Sequence, residues 1–211
     1  MKHLKKSAFY ILLVVMSLTV QACPAGGNKM QQEQDSTNIA AKAKELKGYY
    51  AKAKSDDKEY QVKFFDAFPA SFSLFNQLYG YNGNTYHVLY EESQKHVSLF
   101  CELRNTVTKE KYYEKLISLG LNGHWDADAV SYLQHCMEKY IEEDLPLTVS
   151  TLENYSDKEI KSFWYFLFDG PHPSETIPVD IDKIRSINDQ IASLAEKAFQ
   201  EVHEDAEPHG K

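Results

Sequence analysis

Hydrophobic positions fall into two regimes along this chain of 211 residues. Ala8 to Val20 (AFYILLVVMSLTV) is an unbroken, uncharged apolar run. From Thr37 onwards apolar residues instead recur every three or four positions, the period of one helix face. Between the two lies a polar stretch, PAGGNKMQQEQ from Pro24 to Gln34, with a Gly26-Gly27 pair and no apolar period. It reads as a flexible tether over residues 23–36.

The helical period predicts a succession of short elements. Thr37 to Ala53 is rich in Ala and Lys and only weakly amphipathic. Ser55 is placed to cap a helix carrying Val62, Phe64, Phe65 and Phe68, which Pro69 ends. Ser71 opens another through Phe72, Phe75 and Leu78, stopped by Gly80, and Asn82-Gly83 marks a turn. Tyr86 to Tyr90 fits either the start of a helix or a short extended piece. Further helices are expected from Gln94 to Arg104, from a Thr108 cap to Gly120, from an Asp126 cap through Tyr140, and from Leu147 after Pro146.

Ser156-Asp157-Lys158-Glu159 is a capping box, in which the Ser and Glu side chains satisfy free N–H groups of the first turn. The helix it opens contains Phe163-Trp164-Tyr165-Phe166-Leu167-Phe168, apolar on every side, as buried helices are. Ile181, Ile184, Ile187, Ile191, Leu194, Ala198 and Val202 predict one long terminal helix, followed by a charged, frayed tail at 205–211. No alternation of period two lasts beyond about five residues. The expectation is therefore an all-α single domain over residues 37–204. Roughly eight helices would pack as hairpins around the buried 157–169 helix.

The apolar run has its own meaning. Lys2, Lys5 and Lys6 precede it, it is shorter than the ~20 residues a spanning helix needs, and Ala22 is the small residue of a cleavage site. Residues 1–22 thus read as a signal peptide. Val20-Gln21-Ala22-Cys23 resembles the lipobox of bacterial lipoproteins, with Gln21 in place of the usual small residue. The resemblance implies a thioether from the Cys23 sulfur to diacylglycerol and an acylated new N-terminus. Several acyl chains on one residue hold a protein to a membrane where a single chain is marginal. Pro24 is not the Asp that retains enteric lipoproteins at the inner membrane, so an outer-membrane destination on either face is expected.

The formal charge is −8, from 23 basic and 31 acidic residues. Loss of the three lysines with the signal peptide leaves 20 against 31, or −11. That argues against nucleic acid and anionic lipid surfaces as partners and permits a basic protein. Beyond Cys23 only Cys101 and Cys136 remain. An oxidising envelope allows a disulfide between them. Each equally sits on the apolar face of an expected helix, where free Cys packs as a small hydrophobe.

Two loops are candidate chemistry. In Gly120-Leu-Asn-Gly-His-Trp-Asp-Ala-Asp128, residues His124, Asp126 and Asp128 could share a cation or bind a polar ligand, with Trp125 as an apolar anchor. Their structural roles would be an N-cap at Asp126, a first-turn carboxylate at Asp128 and a hydrophobic staple at Trp125. In Asp169-Gly170-Pro171-His172-Pro173, Asp169 and His172 could form an acid–base pair, or the stretch could simply terminate a helix. If the loops met, His124, Asp126, Asp169 and His172 would make a polar cluster. There is no HExxH, CxxC, GxSxG or phosphate-cradling glycine loop, and no metal or cofactor is implied. Phe64 to Tyr90 is dense in aromatic residues, a stripe that usually builds core. Tyr79, Tyr81 and Tyr86 surround the Asn-Gly turn, where exposed rings would serve as interface anchors.

Gly123-His-Trp-Asp-Ala-Asp-Ala129 and Ser162-Phe-Trp-Tyr-Phe-Leu-Phe-Asp-Gly-Pro-His-Pro173 resemble a poorly characterised family of Gram-negative envelope proteins, over roughly residues 55–170. The resemblance implies a lipidated or secreted protein, some relatives being similar to immunity proteins beside interbacterial toxin genes. It brings no catalytic residues. The expected function is a lipid-anchored binding protein that captures an antibacterial effector. The alternatives are an envelope hydrolase using the His/Asp cluster and a glycan- or nutrient-binding lipoprotein.

Overall fold

In the computed structural model, residues 27–81 and 83–206 are described, with side chains from Thr37 onwards. The expected signal peptide, the expected lipidation site at Cys23 and residues 207–211 lie outside them. The chain is all-helical and forms a single domain. In order it runs α1 (Gly27–Ala53), α2 (Lys58–Ala67), α3 (Phe72–Tyr79), α4 (Ser93–Glu102), α5 (Lys109–Gly120) and α6 (Asp128–Glu143). Then come α7 (Leu145–Leu152), α8 (Asp157–Phe168), α9 (Ile181–Ile187) and α10 (Asp189–Ala206). Short 3₁₀ turns at Tyr90–Glu92 and Leu103–Asn105 flank α4. Among the described residues there are thus ten α-helices, not roughly eight. None is long and apolar enough to cross a membrane.

Local chemistry sets most helix starts. Ser71, Thr108 and Ser156 each accept a hydrogen bond from a first-turn N–H, and Ser156 with Glu159 completes the capping box. Other boundaries differ from those read in the sequence. Asp57, not Ser55, caps α2, its carboxylate accepting from the Glu59 and Tyr60 amides. Pro146 lies inside the first turn of α7, where its missing N–H costs nothing, rather than before it. Helix α1 begins at Gly27, inside the stretch expected to be a tether.

The expected terminal helix is two helices. Asn188 takes an extended conformation (φ −151°, ψ 106°), and its Oδ1 accepts from the Ile191 amide, so α10 restarts there. The apolar spacing continues through the break and hides it. Ile187, displaced by the break, is left 42% exposed.

Helix α8 packs against α10, α5 and α6. Trp164 within it is fully buried, with no acceptor for its indole N–H. A second nucleus belongs to α2, α4 and α5, where Phe68 stacks on Phe100 at 4.4 Å and Phe100 on Tyr112 at 5.2 Å. Phe72 of α3 meets Phe166 of α8 edge to face at 5.3 Å, joining the two nuclei into one core.

A disulfide between Cys101 and Cys136 ties α4 to α6, with Cα atoms 5.9 Å apart. Closing a 35-residue separation constrains the unfolded chain by about 3–4 kcal/mol in the loop-entropy picture. Hydrogen bonds reinforce this seam. The Tyr140 hydroxyl donates to the Cys101 carbonyl at 2.6 Å, and Tyr113 donates to the Tyr140 carbonyl at 2.7 Å.

Candidate functional site

The loop between α5 and α6 is held in place atom by atom. Asn122 takes the left-handed conformation (φ 55°), and its amide donates to Ser162 Oγ at 3.0 Å. Gly123 lies against Phe166; a Cβ there would come within 2.4 Å of the ring. The Trp125 amide donates to Asp169 Oδ2 at 2.6 Å, and its indole N–H donates to Ser131 Oγ at 2.9 Å, folding the ring over the start of α6. From the other side, Gln134 Nε2 donates to the Phe166 and Asp169 carbonyls at the end of α8, at 2.6 and 2.7 Å.

The 120–128 and 169–173 loops therefore do meet, but not as the sequence suggested. Asp169 is engaged as an acceptor for the Trp125 backbone. His172 is exposed and lines a cavity of about 180 Å³ together with Asp169, Gln134 and Glu138. His124 sits in a different cleft, its ring edge-on to Phe72 at 5.2 Å. The four residues expected to cluster are thus divided: Asp169 and His172 line one cavity, His124 lines another, and Asp126 lines neither. Among the described residues no group of three or more His, Cys, Asp or Glu is placed to hold a metal ion. Asp126 does not cap α6 either: Ala127 occupies the N-cap position, without a side-chain hydrogen bond.

Asp126 instead reaches the aromatic segment. Its Oδ2 accepts from the Tyr81 amide at 3.3 Å, while its Oδ1 is buried without a partner. Two residues on, Asp128 Oδ2 accepts from the Tyr90 hydroxyl at 3.4 Å. Burial, with the Asp128 charge next, raises the Tyr90 phenol above its ordinary pKa. These two carboxylates brace a small hairpin. Tyr81 and Tyr86 form an antiparallel bridge around Gly83, which takes φ 81°, a left-handed turn conformation that suits glycine. The turn is tied to α3 where the His87 amide donates to the Gly80 carbonyl at 3.1 Å and the Leu89 amide to the Leu78 carbonyl at 2.8 Å.

On this hairpin three rings form a ladder. Tyr81 and Tyr86 lie 5.0 Å apart, and Tyr86 stacks on Tyr90 at 4.2 Å. Tyr86 is 60% exposed and neighbouring Val88 is 51% exposed, the two largest exposures among big apolar side chains of the described residues. Tyr90 was not singled out in the sequence. Its position four residues beyond Tyr86 was the available signal, obscured because that stretch fitted both helix and strand.

Tyr79 departs from expectation. It is fully buried, its hydroxyl 3.0 Å from His96 Nδ1, because it ends α3 on the inward face shared with Phe72 and Phe75. Burial raises the Tyr79 pKa and lowers that of His96 to about 4, so both are neutral near neutral pH. No protein-family model, curated protein or solved structure matches the chain.

Proposed function

We propose that this is a lipid-anchored envelope protein that binds a protein partner, an antibacterial effector, through the Tyr81–Tyr86–Tyr90 face. The observation that carries the reading is exposed Tyr86, held between half-buried Tyr81 and Tyr90 on a braced segment. Tyrosines bring large contact area at small loss of side-chain entropy, and the ring contacts on either side of Tyr86 reduce that loss further. Asp126 and Asp128 beneath the ladder, together with the acidic balance of the chain, favour a basic partner.

The Cys101–Cys136 bridge suits an oxidising compartment, and the Cys23 lipobox supplies attachment there. Anchoring fits the task, since an effector arriving from a neighbouring cell must be met at the membrane. The carboxylates once considered for acid–base chemistry, Asp126 and Asp169, hold loops together. This favours stoichiometric capture over turnover.

The test has two arms. Cys23→Ser should move the protein from the membrane to the soluble fraction and abolish palmitate labelling; unchanged attachment would remove the anchor from the account. Full-length protein should protect cells against the effector encoded beside its gene and bind that effector with one-to-one stoichiometry. Protection without complex formation, by a purified protein that degrades an envelope substrate, would replace capture with catalysis.

A further inference from the structure

Of five cavities found among the described residues, the most spacious, about 570 Å³, lies between α3 and the α5–α6 loop. That volume falls within the ~300–1,000 Å³ of small-molecule sites. Its lining is distinctive in charge. About a quarter of the chain is Asp, Glu, Lys or Arg, yet none of these lines this cavity. Each of the four smaller cavities is lined by at least one of them: Asp180, Lys95, Glu138 and Lys139 are examples.

What lines it instead is amide, hydroxyl, imidazole and ring. Asn76 and Gln77 project from α3, Asn122 from the loop, and His87 and His124 stand at the rim, with Phe72 as an apolar wall. Donor and acceptor roles are partly fixed. Asn76 Oδ1 is buried against Gly80 without a hydrogen-bond partner. Gln77 Nε2 donates to Ser73 Oγ at 3.3 Å, which leaves its carbonyl oxygen as an acceptor. Asn122 is locked by its own backbone, and its side chain makes no hydrogen bond within the described residues.

We propose that this cavity binds a neutral carbohydrate. A sugar ring offers hydroxyls that both donate and accept, as side-chain amides do, and a C–H face that packs on Phe72 and His124. An ionised ligand would find no counter-charge here and would carry an uncompensated desolvation cost. His87 brings the cavity next to the hairpin, but none of the ladder tyrosines lines it, so the proposal does not depend on the protein-capture reading.

The experiment is saturation-transfer NMR on the full-length protein in a sugar-free detergent, with cellobiose and chitobiose as probes. At least one should give a saturable signal with a dissociation constant of about 1 mM, equivalent to ~4 kcal/mol. The double variant Gln77→Ala/Asn122→Gly keeps a helix-forming residue and a left-handed loop position, and thermal melting verifies its fold. It should weaken binding about tenfold, while Ile187→Ala, on α9 and outside the cavity lining, should leave it unchanged. The proposal is overturned by no saturable signal from either disaccharide up to about 20 mM, well beyond the affinity expected of a small-molecule site. Equal affinity in the double variant, or tighter binding of glucuronate than of the neutral sugars, would also overturn it.

Discussion

Tyr79 and Tyr86 stand seven positions apart in one aromatic-rich segment, yet the first is 0% and the second 60% exposed. The two halves of that segment obey different geometry. Up to Gly80 the chain is two helices, α2 and α3, and Phe64, Phe72, Phe75 and Tyr79 on them, with Phe68 at the end of α2, all turn inward. Beyond Gly80 it is a hairpin running into a 3₁₀ turn, where side chains no longer follow the α-helical period; Tyr86 is exposed, with half-buried Tyr81 and Tyr90 on either side of it. Identical chemistry becomes core or contact surface according to the backbone that carries it.

The contrast can be broken at its buried end first. Phe68→Ala removes a ring stacked on Phe100 in the nucleus of the core and should cost about 3–5 kcal/mol in denaturant unfolding. A loss under ~1 kcal/mol would mean that the aromatic stripe is not a packed core.

Acid should reach the same half of the molecule through His96. Its ring is enclosed by Tyr50, Phe64 and Tyr79, with Glu92, Lys47 and Lys95 as the charged groups that influence it. Burial holds the folded pKa at about 4, against 6.5 for the free residue. The unfolded chain therefore binds a proton more readily between those values. Stability from this group is complete above pH 6.5 and falls as pH drops towards 4, by on the order of 3 kcal/mol. A His96→Gln variant should flatten that part of the stability–pH curve; an unchanged slope would remove His96 as its source.

Tyr79→Phe keeps the ring and deletes the hydroxyl, leaving His96 Nδ1 without a partner. The expected cost is about 1–2 kcal/mol by thermal or chemical unfolding. Tyr86→Ala, at the exposed end, should change stability by no more than ~0.5 kcal/mol. If the two costs were reversed, the assignment of core and surface along this segment would be wrong.

What was legible in the sequence was what local chemistry decides. The Ser156–Glu159 box, the Thr108 and Ser71 caps and the apolar faces of α5, α6 and α8 were all readable, because each depends on residues within one or two turns. What escaped depends on partners far along the chain. The break at Asn188 was masked by isoleucines that keep helical spacing across it. Asp126 read as a cap because Asp is a good one; only the folded chain brings the Tyr81 amide, 45 residues away, to its carboxylate. The two motif loops proved to be structural neighbours, joined through Trp125, Asp169 and Gln134, contacts that no local pattern in the sequence displays. Burial of Tyr79 and assembly of the tyrosine ladder are likewise tertiary outcomes.

The most direct measurement of the proposed capture is to identify an antibacterial effector against which this protein protects and to titrate it calorimetrically with Tyr86→Ala alongside the unaltered chain. If the ladder is the contact surface, the variant should melt like the parent and lose about ten- to thirtyfold in affinity, or ~1.4–2 kcal/mol. Parent-like affinity in a folded Tyr86→Ala protein would contradict the assignment of this face as the site of capture.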